Sequence, residues 1–307
     1  MKRFALLFPA LLTLASPALT TANAADSPSP ELIHLGRKLF FDPELSSTGQ
    51  TSCASCHRPE LGWTDGLARG VGTHGDRLAR RTPTLLDVKG GFSFFWDGRA
   101  KDLEEQALGP IQNPKEMDQP VGPLLERLQK HEFYPALFQK AFGSIEITSG
   151  KLAQAIAAFE RTITHEPTAY EAWLNGKDGA ISESAERGFK LFFSSRARCF
   201  HCHNGENFSD QRFWDIGVDS QGNDDRGRGV FYPDLPKFQY TFKTPVLWGI
   251  SKRGPYMHNG SEATLQDVID FYDKGGRIQR ESHAPLIQPI GLTDEEKSDL
   301  VEFLRTL

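Results

Sequence analysis

The sequence predicts a mainly α fold built from two related halves, and three observations point there. Apolar residues recur at helical spacing, an early string of residues is echoed late in the chain, and long Gly-, Asp- and Arg-rich stretches separate the periodic segments. The helical stripes come first. Leu152, Ile156, Phe159 and Ile163 share one face. Leu265, Val268, Ile269 and Tyr272 form a second stripe, stopped by Gly275 and Gly276. Thr293 with Glu296 makes a capping box ahead of Leu300, Val301 and Leu304. Segments 62–81 and 204–243 read as long loops that shape access to whatever the helices enclose.

The echo runs the length of both halves. Gly36-Arg37-Lys38-Leu39-Phe40-Phe41 returns as Gly188-Phe189-Lys190-Leu191-Phe192-Phe193, and Thr82-Pro83-Thr84-Leu85 returns as Thr244-Pro245-Val246-Leu247. From those prolines one interval leads to Gly98 and Gly260, then to Leu103 and Leu265. So long a period means two related domains, not a solenoid. The boundary is expected within 166–180, which gives halves of 25–166 and 167–307.

The N-terminus reads as a secretory signal over residues 1–24. Lys2 and Arg3 precede a proline-broken apolar run, and Ala22-Asn23-Ala24 is an A-x-A cleavage site. That run is too short and interrupted to span a membrane, and no other long apolar stretch exists. The remaining chain, about 280 residues, suffices for two ordinary domains. Removing the two basic residues takes the formal charge from -5 to about -7. With no basic stripe, nucleic acid is excluded as a partner, while a basic protein face remains compatible.

All four cysteines fall in two Cys-x-x-Cys-His motifs, Cys53-Ala-Ser-Cys56-His57 and Cys199-Phe-His-Cys202-His203. Each is the attachment signature of a c-type haem: two thiols form thioethers and the adjacent imidazole ligates the iron. A zinc site built from all four thiolates is the competing reading. It does not require a histidine directly after each pair. The expectation is therefore two cytochrome c-like helical domains, each with one covalent haem c. Such attachment agrees with export, since in Gram-negative bacteria it takes place in the periplasm.

His57 and His203 each fill one axial position, and the opposite position decides the chemistry. Counted from the aligned glycines, Tyr272 in the second half matches Pro110 in the first. A phenol can ligate iron; a proline ring has no donor atom. The repeat thus predicts a six-coordinate second haem and a first haem with an open distal face. The bland alternative for Tyr272 is an amphipathic core tyrosine.

The block Phe95-Trp96-Asp97-Gly98-Arg99-Ala100, followed by Leu103, Glu105-Gln106-Ala107, Gly109-Pro110 and Glu116, resembles the bacterial dihaem cytochrome c peroxidase and MauG family. The resemblance spans nearly the whole chain after the signal. It implies a haem-dependent oxidoreductase whose N-terminal haem meets H2O2 and whose C-terminal haem stores or relays electrons. It assigns Trp96 to the link between the haems, Gln106 to the distal pocket and Glu116 to proton transfer. A carboxylate whose pKa is raised toward neutrality can take a proton from peroxide and return it to the departing oxygen. Without the resemblance, Glu116 reads as a surface acid and Trp96 as core packing.

The family's branches divide at the second haem's distal ligand. By resemblance, methionine there marks peroxidases fed by a small cytochrome c or cupredoxin. Tyrosine marks MauG, whose oxidising power is used on tryptophans of a methylamine dehydrogenase precursor to form tryptophan tryptophylquinone. Tyr272 falls on that position and favours the MauG-like reading, as does the run from Ser55 to Trp63. The short spacing from His57 to Trp96 is peroxidase-like. His74 is a candidate conditional ligand of the first haem, against the commoner outcome of an exposed loop histidine. Met257 is a rival for the second haem at a place the family does not use. Calcium is doubtful: Arg81 stands where the family carries an asparagine ligand, and its guanidinium could replace the cation. A non-enzymatic dihaem electron carrier is the remaining alternative, and Pro110 argues against it.

Overall fold

The computed structural model describes residues 28–219, 222 and 224–307, so the expected signal segment 1–24 lies outside the described residues. Among the described residues the chain is helical with very little sheet. No helix there is long and apolar enough to cross a membrane.

The first half opens with α1 (Pro30–Phe40), where the Ser29 hydroxyl caps the first turn and Leu35, Leu39 and Phe40 point inward. The single turn α2 (Cys53–Cys56) carries the first motif. Helix α3 (Leu103–Gln112) is capped by Asp102 and contains Pro110. It is followed by α4 (Val121–Gln129), α5 (Tyr134–Phe142) and α6 (Ser149–Glu160). Ile163, expected on the α6 stripe, lies beyond its end but is buried.

After the short α7 (Ala169–Leu174), the second half repeats the plan. Helix α8 (Glu183–Phe192) corresponds to α1, and α9 (Leu265–Asp273) to α3. Helix α10 (Asp294–Leu304) begins with the expected Thr293–Glu296 capping box. Segment 62–81 has no helix, as expected. Segment 204–243 is not wholly loop, because Phe213–Trp214 pair antiparallel with Phe242–Lys243.

The repeated glycines explain how each half closes. A Cβ on Gly36 would fall 1.8 Å from the Ala155 carbonyl oxygen, and one on Gly188 would fall 1.9 Å from that of Asp299. Both helices therefore press bare backbone against a partner, α1 on α6 and α8 on α10. One core draws on residues from Leu35 to Ile163, and a second on residues from Tyr170 to Leu307.

The halves also grip each other reciprocally. The Arg81 amide donates to the His258 carbonyl, and the Lys243 amide donates to the Trp96 carbonyl, each at 2.8 Å. In the repeat, Arg81 corresponds to Lys243 and Trp96 to His258, so the same bond is made twice in opposite senses. His165, held by Asp87 at 2.7 Å within the first half, stacks on Trp248 of the second at 4.0 Å, adding a second contact between the halves.

Candidate active site

The two motifs open onto separate cavities. Cys53, Cys56 and His57 line one of about 460 Å³; Cys199, Cys202 and His203 line another of about 180 Å³. A single zinc site using all four thiols is ruled out by that separation. The thiols form no disulfide. Burial pushes Cys56 up to about 11, Cys199 and Cys202 up to about 12, and Cys53 higher still.

Each motif histidine is oriented by a backbone carbonyl. His57 Nδ1 lies 3.1 Å from the Trp63 oxygen, and His203 Nδ1 lies 2.8 Å from the Phe208 oxygen. A carbonyl only accepts, so Nδ1 carries the proton and Nε2 keeps its lone pair for a metal. Trp63 and Phe208 both adopt positive φ, 61° and 50°, which places those carbonyls. Burial lowers the pKa of both imidazoles and keeps them neutral, as ligation requires. Phe40 packs beside His57 and Phe192 beside His203 with the same centroid distance, 6.4 Å, and the same tilt. The duplicated Leu-Phe-Phe thus builds two like walls.

The remaining linings of the two cavities differ. Pro110, Gln106 and Glu116 all line the first cavity. The Gln106 amide oxygen is buried without a partner. Asn113 donates to Glu116 at 2.8 Å, and the Thr73 amide donates to the Glu116 carbonyl at 2.7 Å. Burial raises the Glu116 pKa despite the Asn113 bond and the charge of Arg99, which both pull it down. Tyr272 lines the second cavity, and burial there raises its phenol pKa. Its hydroxyl has no hydrogen-bond partner among the described residues. Met257 lines the same cavity. His74 does not line the first cavity: it is exposed, with Nε2 2.9 Å from Asp118.

Trp96 lines both cavities and a third of about 100 Å³ between them. Its indole N–H donates to the Arg81 carbonyl at 2.9 Å, and its ring meets His258 edge-on at 6.5 Å. Four thiols in two pairs, two neutral imidazoles and buried polar atoms without partners (Gln106 Oε1, Arg81 Nε, Arg253 Nε) fit two covalently held haems. Sequence reasoning missed His258, Lys243 and Arg253. The count that aligns Pro110 with Tyr272 could have found the first two.

Known proteins agree. The chain is 43% identical over 281 residues to the methylamine utilization protein MauG of Methylorubrum extorquens, covering 91% of this chain and 78% of the relative. It belongs to the dihaem cytochrome c peroxidase and MauG family. The family profile described as di-haem cytochrome c peroxidase matches residues 30–179. The cytochrome c551 peroxidase of Nitrosomonas europaea is 34% identical, covering 94% of this chain and 82% of that one. The difference between 43% and 34% puts the chain on the MauG-like side of the family. A crystal structure titled as a MauG-like protein associated with microbial copper homeostasis superposes with a TM-score of 0.85 at 31% identity, covering 93% of this chain and 91% of that one. As a member of this MauG and peroxidase family, the protein is a haem-dependent oxidoreductase with c-type haems.

Proposed function

We propose that this is a periplasmic MauG-like enzyme that consumes H2O2 at the first cavity and oxidises a partner protein by long-range electron transfer. The partner proposed is a methylamine dehydrogenase precursor, whose tryptophans are converted toward tryptophan tryptophylquinone. The observation that carries the reading is the asymmetry of Pro110 and Tyr272, equivalent in the repeat and each lining its own cavity. The periplasm rests on the signal-like N-terminus together with c-type attachment. The two haem domains meet near residues 166/167 in this reading, supported by the two hydrophobic cores on either side.

Bound in the two cavities, haems would supply the chemistry of peroxide reduction in the first and of electron storage or relay in the second. His57 and His203 would hold the irons, and Tyr272 would offer its phenol oxygen to the second. Pro110 keeps donor atoms off the open face of the first cavity. Gln106 has a free amide oxygen with which to accept a hydrogen bond from peroxide and orient it. Glu116 takes the proton from the near oxygen of H2O2 and returns it to the departing oxygen, a task suited to its raised pKa. The Asn113 amide fixes that carboxylate. Two electrons and two further protons complete the reduction of peroxide to two waters. The partner loses the two electrons, which reach the first cavity by way of Trp96. Arg81 replaces the family's calcium in this reading. Its support is that the guanidinium donates to the Arg253 carbonyl. Metal analysis finding one tightly held Ca2+ per chain would reject it.

The test is to add H2O2 to the holoprotein mixed with methylamine dehydrogenase precursor, and separately with reduced small cytochrome c. Quinone absorbance appearing in the first mixture supports the proposal. Rapid cytochrome oxidation with no quinone would make the protein a peroxidase instead.

A further inference from the structure

Three cations surround Trp96, and no carboxylate among the described residues is close enough to pair with any of them; Asp65 acts on Arg81 only from a distance. Arg81 lines all three cavities, and Lys243 and Arg253 line both the middle cavity and the second. Arg81 and Arg253 are buried at 5% and 2% exposure, and Lys243 lies half-buried along the cavity wall. Among the described residues their side-chain hydrogen bonds go to carbonyls: Arg81 to Arg253, Arg253 to Val246 at 2.6 Å, and Lys243 to Ser93 at 2.6 Å. Nε of both arginines has no partner. None of the three ion-pairs with a carboxylate among the described residues. A buried cation without a counter-ion costs several kcal/mol or gives up its proton. Burial accordingly pulls Lys243 down to about 8, Arg253 to about 9 and Arg81 to about 10. A cluster so arranged is waiting for negative charge.

The place of the cluster says where that charge comes from. A haem carries its two propionates on the edge opposite the vinyls that form thioethers. Here the cysteines line the outer cavities, and none lines the middle one. We propose that Arg81, Lys243 and Arg253 form a cationic clamp that receives propionate carboxylates of the two haems in the middle cavity. Arg81 and Lys243 are equivalent in the repeat and are tied by the reciprocal backbone bonds, so each half supplies one cation of this matched pair, and the second half adds Arg253. By neutralising the propionates, the clamp favours the reduced form of the nearby iron and sets the reduction potential on either side of Trp96. These are positioning residues: none of them is assigned a contact with peroxide.

The inference rests on the presence of two haems, which is checked first. Wild-type holoprotein with fewer than two covalent haems per chain would refute the dihaem reading, whatever the clamp does. Given two haems, Lys243→Met and Arg81→Gln holoproteins are compared with wild type by redox titration and by the propionate bending bands in resonance Raman spectra. The expected result is intact haem content, a midpoint potential shifted to more negative values and altered propionate bands, with Lys243→Arg returning toward wild type. Unchanged potentials and bands in both variants overturn the clamp. Should the variants not mature, a crystal structure of the wild-type holoprotein decides. Propionate oxygens within salt-bridge distance of these three side chains sustain the proposal, and propionates directed elsewhere end it.

Discussion

Trp96 and His258 occupy the same position in the two repeats and meet ring to ring, 6.5 Å apart, between the two cavities. His258 also stacks on Phe242 at 3.6 Å. The carbonyls of both residues are held by the cross-bonds from Lys243 and Arg81. The centre of the molecule is therefore a rigid aromatic junction built from the duplication itself. One repeat has placed an oxidisable indole there; the other has an imidazole whose pKa burial drops to about 3, which keeps it neutral.

If electrons cross by way of that indole, replacing it should uncouple the halves. Trp96→Leu holoprotein is expected to keep both haems but to pass oxidising equivalents between them more slowly, by about tenfold or more, about 1.4 kcal/mol of barrier. Stopped-flow spectra after H2O2 addition would show this as a delay between the changes at the two haems. An undelayed second change would remove Trp96 from the path. Because the indole N–H satisfies the Arg81 carbonyl, the variant is also expected to melt at a lower temperature.

Tyr272 makes the second prediction. The residue lines the cavity that holds His203, and no partner bonds its hydroxyl among the described residues. The wild-type holoprotein is expected to show a long-lived spectral change after peroxide, and Tyr272→Phe should abolish it. Tyr272→Met should raise the potential of the second haem, since a thioether favours Fe(II). Persistence of the wild-type spectral change in Tyr272→Phe would count against phenol ligation.

How much could be read in advance differed with the kind of signal. The motifs, the helical stripes and the asymmetry of Pro110 and Tyr272 are local spacings, and a linear chain displays them. Gly36 and Gly188 stood out as repeated letters, but their reason, bare backbone against Ala155 and Asp299, needed the fold. The charged centre was harder still. Arg253 joins it from a segment with no repeat partner of like charge, and whether a lysine or arginine has a counter-ion is not written near it in sequence. His74 was ambiguous for a related reason. A histidine in an aperiodic loop points wherever its neighbours allow, and here that is toward Asp118.

Glu116 carries a prediction with a sign. Burial raises its pKa above the ordinary 4.5, and the proposed base must be ionised to accept a proton. The rate of reaction with H2O2 should therefore rise with pH through that elevated pKa and level off above it. Glu116→Gln should lower the rate by about 10²–10⁴ and lose the acid limb. Rapid-mixing rates from pH 4 to about pH 9 make the comparison; an acid limb surviving in the variant would assign it to another group.

Glu160 tests the energetics of the first cavity separately from its chemistry. It ends α6, is 4% exposed, lines the cavity near Cys53, and has one carboxylate oxygen without a partner. Burial pushes its pKa up to about 8, outweighing the attraction of Arg161. In the unfolded chain it ionises near 4.5. Between those values the unfolded state releases a proton that the folded state keeps, so stability falls as pH rises, by at most about 1.4 kcal/mol per pH unit. Below the lower value and above the upper one the contribution is flat. Glu160→Gln cannot ionise and should lose this slope. Its melting temperature is expected to match wild type near pH 4 and exceed it increasingly toward pH 8. Parallel melting curves across that range would mean that the carboxyl is solvated or paired once the haem is in place.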